Sequence, residues 1–383
     1  MPTVAAAPLR ELARALLRAA GATPEHAAVV GDSLVDANLA GHDSHGVQLL
    51  PHYVESALSG DVDPAVEPTV TRRDRATATV DGAHGWGQPA MLLASRTAVQ
   101  QARAFGVGAV VVNRCRHIGR VAPYVESIAA AGMIGLAVAN VPPAVAPFGG
   151  RQRVLGTNPI AWAIPRAGGL PPICLDVATS AVAYGKVEVA RARGVPVPAG
   201  ALLDRDGTPT TDPEVVRDGG VLLPFGGHKG SGFAVFAQLI GMALAGYDTT
   251  GMDEIVNGNG PLILALDVGP FVDPELFLDR VERQSAAITG STPLPGVDRV
   301  LLPGEPEIAT RTRLERDGIA LPDATWERIA TTAAPLGVAM PGVDSTQSLD
   351  NGSAPASDAA STAATDVAPA LRGRPSPTTG SRP

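Results

Sequence analysis

The chain of 383 residues is poor in the cysteines, long apolar runs and basic clusters that are typical of secreted, membrane-spanning or nucleic-acid-binding proteins. Its two cysteines, Cys115 and Cys174, are far apart and match no metal-finger spacing, which fits a reducing compartment. The first residues show no basic segment before an apolar core, and no apolar run approaches the roughly 20 residues that span a bilayer. The net charge is −8, with no basic run interleaved with aromatic residues. We therefore expect a cytoplasmic protein with no membrane and no nucleic-acid partner.

Several familiar site motifs are missing as well. The sequence contains no G-x-G-x-x-G, no P-loop and no G-x-S-x-G. These absences argue against an ordinary Rossmann loop, a P-loop nucleotide site and a serine hydrolase of the nucleophile-elbow type. Hydrophobic residues make up 45% of the chain and charged residues 18%, which is enough apolar material for one large core or two.

What the chain does have is two compact histidine clusters. Residues 41–46 read Gly-His-Asp-Ser-His-Gly and residues 116–120 read Arg-His-Ile-Gly-Arg. Imidazole exchanges protons near neutral pH, so histidines in glycine-bearing loops indicate an acid/base site. An amphipathic stretch follows each cluster, which predicts that His45 and His117 lie at helix entrances, where anions and polarised oxygens bind.

Two other interpretations of the histidines stay open at this point. A histidine in a turn is often a hydrogen-bonded structural residue. His42 and His45 are three residues apart and could bind a metal from one helix face, although no HExxH or acidic partner motif accompanies them. The sequence therefore also admits a metal-dependent hydrolase built on His42, His45 and His117, or a non-catalytic nucleotide-binding protein.

The order of predicted elements indicates an α/β fold. Hydrophobic periodicity, Thr23 as a helix cap before Pro24, and the turn pair at residues 81–82 mark the elements. Helices are predicted over residues 8–20, 24–35, 88–104, 121–131, 180–192 and 230–244, and strands over residues 75–80, 108–113, 133–140, 160–164, 173–175 and 261–266.

We divide the chain into three parts on this pattern. Residues 1–75 form an N-terminal helical region with the first histidine motif, and residues 76–335 form an α/β region interleaved with it. The proline- and glycine-rich stretch 194–213 is predicted to be an ordered loop with a turn at residues 206–207. Residues 341–383 have almost no large apolar side chains, so a disordered tail is expected.

Three further segments resemble ligand loops rich in backbone amides. Residues 156–159 lead into a predicted strand, residues 176–180 leave a strand and precede a helix, and residues 226–230 open another helix. Free amides, hydroxyls and one lysine would suit the phosphates and ribose of a nucleotide. Each segment alone is weak evidence, because such residues are usually ordinary caps and turns.

Taken in order, six motifs carry a family resemblance. Gly-His-Asp-Ser-His-Gly-Val, His-Ile-Gly-Arg, Gly-Thr-Asn-Pro, Asp-Val-Ala-Thr-Ser, Pro-Phe-Gly-Gly-His-Lys-Gly and Leu-Pro-Gly-Glu occur across residues 41–305. The chain resembles the type-2 malate/L-lactate dehydrogenase family over roughly residues 5–335. The resemblance implies a non-Rossmann α/β fold with a mixed sheet and flanking helices. It also implies a homodimer that uses NADH or NADPH to interconvert small 2-oxo acids and 2-hydroxy acids, and no metal.

The same resemblance implies roles for individual residues. His45 and His117 are the acid/base candidates, with Ser44 and Asp176 as relay partners. Substrate contacts are expected at Leu49, Tyr53, Thr157 and Asn158. Cofactor contacts are expected at His45, Gly119, Arg120, Val121, Asp176, Val177, Ala178, Thr179, Ser180, Lys229, Gly304, Glu305, Pro306 and Glu307.

One position departs from the family pattern. Many relatives carry arginine four residues beyond the first-cluster histidine, as a clamp for a carboxylate, whereas this chain has Leu49. The non-polar side chain favours a bulkier or less polar 2-oxo acid over one with a second carboxylate.

Overall fold

In the computed structural model, residues 1–247 and 258–342 are described. The tail predicted for residues 341–383 lies outside these residues from position 343 onwards, and it stays a prediction. Within the described ranges, none of the helices combines the length and the apolar surface needed to cross a bilayer.

The N-terminal region is helical, as predicted. A short strand β1 (Thr3–Val4) precedes helices α1 (Ala6–Ala19), α2 (Pro24–Leu39) and α3 (Leu50–Leu58). The predicted cap of α2 is confirmed, because Thr23 Oγ1 accepts a hydrogen bond from His26 N over 3.1 Å. The apolar stripe of α1 is fully buried against its neighbours through Leu9, Leu12, Leu16 and Leu17.

A seven-stranded mixed sheet forms the centre of the α/β region. Its order is β2-β3-β4-β11-β5-β6-β7, with β3 and β4 parallel and every other neighbouring pair antiparallel. The fold prediction is therefore confirmed. The strands are β2 (Thr69–Asp74), β3 (Thr77–Asp81), β4 (Val107–Asn113), β5 (Ile134–Val138), β6 (Ile160–Ile164), β7 (Ile173–Val177) and β11 (Leu262–Leu266).

Two helices cover one face of this sheet. Helix α4 (Gly87–Phe105) packs on β3, β4 and β11, helix α5 (Ala122–Ala130) packs on β5, β6 and β7, and the two helices contact each other. The layer between them is fully buried and apolar, with Met91, Val110, Val112, Ile128 and Ile263 among its members. These helices and strands lie within a few residues of their predicted positions.

The stretch after β7 differs from the sequence prediction. The helix predicted over residues 180–192 begins later, as α6 (Tyr184–Arg193), because Ser180 lies in extended backbone bridged to Pro224. The predicted loop 194–213 has the turn at residues 206–207, but the segments on either side of it pair as short strands. These are β8 (Leu202–Leu203) and β9 (Pro209–Thr210), and β8 also pairs with β10 (Val221–Leu222).

From residue 228 onwards, the described chain is mostly helical. Helix α7 (His228–Leu239) continues into a π-helical turn at Ile240–Leu244, which together cover the helix predicted over residues 230–244. The sequence analysis did not predict the later helices. They are α8 (Pro274–Thr289), α9 (Glu305–Asp317) and α10 (Asp323–Ala333), with strand β12 (Ile319–Ala320) between the last two.

These last elements return to the N-terminal helices. Strand β12 pairs antiparallel with β1, and Ile329 and Ala333 of α10 join the helical core. Asp36 of α2 holds α9 in place by accepting hydrogen bonds from Arg10 and Arg311, each over 2.7 Å. The helical region is thus built from both ends of the described chain, while the division predicted at residue 75 stays a prediction.

Candidate active site

The first histidine loop is held by Asn38, which is buried near the end of α2. Asn38 Nδ2 donates to Asp43 Oδ1 over 2.6 Å, and Asn38 Oδ1 accepts from Val47 N over 2.8 Å. Gly46 is required between them, since a Cβ there would lie 2.3 Å from Asn38 Oδ1. The sequence analysis missed Asn38, although a polar residue among the apolar residues of α2 was a signal.

The fold brings the two histidine clusters together. The rings of His45 and His117 are stacked, with centroids 5.7 Å apart and planes 13° from parallel. Ser44 Oγ lies 3.1 Å from His45 Nδ1, so the predicted relay partner is in contact with the ring. The predicted helix entrances need correction: His45 ends a 3-10 turn at Asp43–His45, and His117 lies five residues before α5, because glycines interrupt both segments before the helices begin.

Behind His117 lies a buried polar pair. Tyr53 Oη is 2.6 Å from His117 Nδ1, and Gln88 Nε2 donates to Tyr53 Oη over 2.7 Å. Tyr53 also packs against the ring of Trp86, with centroids 5.9 Å apart. Tyr53 was predicted to contact substrate, and the structure directs its hydroxyl to His117. Gln88 was missed, and nothing in its sequence surroundings distinguishes it.

Both imidazoles are shifted towards the neutral form. Burial lowers the pKa of His117 from 6.5 to about 3, and the positive charges of His45 and His52 add to this effect. Burial also lowers the pKa of His45, while the carboxylate of Asp176 opposes that shift. Burial raises the pKa of the Tyr53 hydroxyl well above its usual value, so the phenol keeps its proton. At neutral pH the imidazoles of His45 and His117 are therefore both uncharged.

Asp176 lies at the end of β7 and caps α5. Its Oδ2 accepts hydrogen bonds from Val121 N over 2.9 Å and from Ala122 N over 2.8 Å. These two amides therefore donate within the protein and are not free to bind a ligand. The negative charge of Asp176 favours the protonated form of His45. This effect agrees with one part of its predicted role as a relay partner.

Arg120 is the most unusual charge in this region. Its side chain is 8% exposed, and its Nε has no hydrogen-bond partner among the described residues. A buried guanidinium with an unsatisfied N–H is costly, so the Nε of Arg120 is suited to donating to an anion from outside the chain. Its positive charge lowers the pKa of both His45 and Glu307, which locates Arg120 close to each.

His42 is separate from the histidine pair. Its Nε2 lies 3.4 Å from Glu307 Oε1 in the first turn of α9. This hydrogen bond lowers the pKa of Glu307, although burial of the carboxylate opposes the shift. Among residues 1–247 and 258–342, no group of three or more histidine, cysteine, aspartate or glutamate side chains is arranged to hold a metal ion.

Two glycines let the backbone turn tightly beside Arg120 and before α9. Gly119 has φ of +70°, and a Cβ there would lie 3.2 Å from Ser33 Oγ. Gly304 has φ of +95°, and a Cβ there would lie 3.2 Å from Cys174 O. Only glycine adopts these conformations without strain. Glu305 and Pro306 then begin α9, where Glu305 Oε2 accepts from Leu302 N over 2.9 Å.

Several predicted contact residues use their polar side chains within the protein. Thr179 N and Oγ1 both donate to Thr157 O, over 2.8 and 3.0 Å, and Ser180 Oγ donates to Val182 O over 2.7 Å. The buried Asn158 side chain bonds to Val141 N, Ala234 O and Gln238 Oε1.

The remaining predicted contact residues lie in several different elements of the fold. Ser180 does not cap α6, because the cap is Ala183. Val177 and Ala178 follow Asp176 at the end of β7, and Lys229 is exposed in the first turn of α7. Leu49 is half-buried against the helical core.

Comparison with known proteins shows the family to which the chain belongs. The model of the malate/L-lactate dehydrogenase family matches residues 4–330. The chain is 36% identical over 338 residues to hydroxycarboxylate dehydrogenase B of Escherichia coli strain K12, which covers 86% of this chain and 93% of the relative. It is 35% identical over 340 residues to a Delta(1)-pyrroline-2-carboxylate/Delta(1)-piperideine-2-carboxylate reductase of Pseudomonas syringae pv. tomato, covering 86% and 96%.

The fold agrees with this placement. The structure of sulfolactate dehydrogenase from Methanocaldococcus jannaschii superposes with a TM-score of 0.80 at 31% identity, covering 89% of this chain and 98% of that one. The match spans both the helical region and the mixed sheet, and it includes both histidine clusters within residues 4–330. The chain is therefore an oxidoreductase that belongs to the malate/L-lactate dehydrogenase family.

Proposed function

We propose that the protein interconverts a 2-oxo acid and a 2-hydroxy acid with NADH or NADPH, in the cytoplasm, using the histidine pair for proton transfer. The observation that carries the proposal is the stacked pair His45 and His117 near the buried Arg120, whose Nε has no hydrogen-bond partner among the described residues. Two histidines that exchange protons, next to an arginine with an unsatisfied N–H, suit a reaction between an anionic cofactor and a small carbonyl substrate.

The residues present fit a dinucleotide. Arg120 Nε has no partner among the described residues, and Gly119 and Gly304 turn the backbone beside Arg120 and before α9. Arg120 would hold a phosphate, and the carboxylate of Glu307 would accept from the hydroxyls of a ribose. Lys229 would add a second positive charge from α7. The bound nicotinamide would supply the hydride.

The chain's own residues would manage the proton and the substrate oxygen. Reduction of a carbonyl develops negative charge on oxygen. The protonated form of His45 or His117 would give its ring proton to that oxygen, return to the neutral form and take up a new proton from solvent. Ser44 would orient His45 through Nδ1, and the charge of Asp176 would stabilise the protonated ring. Stacking of the two rings keeps water away from one face of each.

We propose a monocarboxylic 2-oxo acid as substrate. Leu49 lies between the first histidine loop and α3 and packs against the helical core; the exposed part of its side chain would offer an apolar wall to the substrate. Such a wall tolerates an aliphatic or aromatic substituent and gives a second carboxylate nothing to bond.

We also propose a homodimer. Helix α7 exposes three large apolar side chains on one face: Phe233, Phe236 and Leu239 are 51%, 50% and 54% exposed. Contiguous apolar surface of this kind marks an interface, and a second copy of the chain is the occupant proposed here. Sedimentation should give a dimer for the wild type and a monomer for Phe236→Glu. A monomeric wild type at assay concentration would end this part of the proposal.

A single assay tests the function. Loss of reduced nicotinamide absorbance is followed with NADH and with NADPH against a panel of 2-oxo acids and one cyclic imine 2-carboxylate, each with and without a chelator. We expect turnover of at least one 2-oxo acid, unaffected by chelation. Turnover only of the imine would reassign the substrate, and inactivation by the chelator would favour a metal enzyme. Cofactor binding without any turnover would indicate a non-catalytic protein.

A further inference from the structure

A buried hydrogen-bond relay runs from Gln88 through Tyr53 to His117. Gln88 Nε2 donates to Tyr53 Oη over 2.7 Å, and Tyr53 Oη lies 2.6 Å from His117 Nδ1. The side chains of Gln88 and Tyr53 are 1% and 2% exposed, so bulk water does not compete for these bonds. The relay is thus a fixed part of the protein's interior.

The direction of the relay follows from counting protons. A phenol has one hydrogen, and Gln88 already donates to the oxygen of Tyr53. The Tyr53 hydrogen therefore goes to His117 Nδ1, because the next acceptor in reach among the described residues, His117 O, is 3.5 Å away. A neutral imidazole that accepts at Nδ1 carries its proton on Nε2.

We propose that Gln88 and Tyr53 are positioning residues that hold neutral His117 as the tautomer protonated on Nε2. The catalytic meaning of this inference rests on the proposed function: while His117 is neutral, its Nε2–H donates a hydrogen bond to the substrate oxygen and keeps its proton. Wrong-tautomer imidazoles lose catalytic rate by up to about 10⁴-fold, so such control matters.

The relay can also reverse. If His117 becomes protonated, Nδ1 must donate to Tyr53, and the Tyr53 hydrogen then needs another acceptor. Gln88 Oε1 is buried and has no hydrogen-bond partner among the described residues. Rotation of the Gln88 amide would present Oε1 to Tyr53 and complete the reversed relay. An amide at position 88 can serve both protonation states, which neither a purely donating nor a purely accepting group can do.

Three substitutions separate this role from packing. Tyr53→Phe keeps the ring beside Trp86 and removes the hydroxyl, and Gln88→Leu removes the amide. Gln88→Glu introduces a carboxylate that, once ionised, only accepts. Tyr247→Phe is the control, because Tyr247 Oη accepts an equally short bond, 2.7 Å from Arg114 N, outside the relay. His45, His52 and Tyr124, the titratable neighbours of His117 and Tyr53, are unchanged in every variant.

The first readout is the tautomer itself, from ¹⁵N NMR of the histidine-labelled full chain. We expect the Nε2–H pattern for His117 in the wild type and in Tyr247→Phe. Above the pH at which the introduced carboxylate ionises, Gln88→Glu should move His117 to the Nδ1–H form and raise its pKa by about one unit or more. An Nδ1–H tautomer in the wild type, or no change in Gln88→Glu, would overturn the proposal.

The second readout is kinetic. Tyr53→Phe and Gln88→Leu should lower kcat by roughly 10- to 100-fold with KM little changed, by analogy with losses of groups that orient catalytic histidines. Gln88→Glu should show an alkaline displacement of the pH profile that Gln88→Leu lacks. Identical profiles for the two Gln88 variants would indicate packing alone. The NMR measurement requires no turnover. An inactive wild type would therefore contradict the proposed function without affecting the test of the tautomer.

Discussion

The two sides of the candidate site differ in how completely they satisfy their own polar groups. On the histidine side, His45 contacts Ser44, and His117 contacts Tyr53, which in turn accepts from Gln88. On the side proposed to meet the cofactor, the buried Arg120, whose charge also reaches His45, leaves Nε without a partner among the described residues. Where the polar side chains are hydrogen-bonded to each other, those bonds can set their protonation states. Where a buried donor has no partner, an anion from outside the chain is expected to bind.

A second contrast lies within the polar motifs. Asn158, Thr179 and Ser180 belong to motifs that predicted ligand contacts, yet their side chains bond to backbone and side-chain groups of the protein. Arg120 comes from an equally short motif, and its Nε has no hydrogen-bond partner in the part of the chain that the structure describes. Motif membership alone therefore does not separate a residue that shapes a loop from one that meets a ligand.

The largest expected effect comes from removing either histidine. His45→Ala and His117→Ala should each lower kcat by roughly 10² to 10⁴-fold, because each removes a candidate proton donor from a neutral, half-buried pair. Circular dichroism should show that the variants are folded. His84→Ala, in an exposed turn before α4, is the control and should keep full activity. Near-normal turnover in both site variants would show that the pair is not the acid/base centre.

Arg120→Met sharpens the contrast between the two sides. Loss of a charge-assisted hydrogen bond should raise the Kd for NADH or NADPH by about 10- to 100-fold. The ligand-free variant should melt no lower than the wild type, because the substitution removes a buried charge with an unsatisfied N–H. Titration calorimetry and thermal melts measure both quantities, with Arg72→Met on the exposed strand β2 as the control. Unchanged cofactor affinity would contradict a phosphate role for Arg120.

A smaller effect is expected from Leu49→Arg. In the wild type, kcat/KM should be higher for an arylpyruvate or another monocarboxylic 2-oxo acid than for oxaloacetate. The introduced guanidinium can bind a second carboxylate, so the variant should narrow or reverse that ratio. Leu58→Arg, at the exposed end of α3, adds the same charge without reaching the site and should leave the ratio unchanged. A wild-type preference for oxaloacetate would show that Leu49 does not set selectivity.

The smallest effect is on stability in acid. His117 in the folded protein has a pKa of about 3, compared with an ordinary value of 6.5 when the chain is unfolded. Between these values the unfolded chain binds more protons, so the free energy of unfolding should fall as the pH drops from 6.5 towards 3. Urea unfolding at several pH values should show a shallower fall in His117→Gln. Parallel pH curves for the variant and the wild type would contradict the buried, neutral state of His117.

Sequence patterns located the sheet, because the strands around Val110, Ala137 and Ile263 are short apolar runs beside helices of clear period. They missed β2, whose residues are almost all exposed and show no alternation. Helix α8 was missed although Asp273 and Pro274 form a cap and first turn, and that signal was available.

The site was predictable in its composition and less so in its contacts. The motifs named both members of the pair His45 and His117, but stacking between loops 72 residues apart depends on how α2, α3 and α4 pack. Gln88 has no motif of its own, because its role comes from burial next to Tyr53. The pairing of His42 with Glu307 depends on the return of α9 to the N-terminal helices, which periodicity does not reveal.

The most direct test of the account is the fate of the transferred hydrogen. The wild-type protein is incubated with a monocarboxylic 2-oxo acid and with NADH or NADPH deuterated at the reactive carbon of the nicotinamide ring. The account predicts a 2-hydroxy acid that carries deuterium on the carbon bearing the new hydroxyl, as measured by mass spectrometry and NMR. A 2-hydroxy acid without the label, or no reduced product with either cofactor across the 2-oxo acid panel, would contradict it.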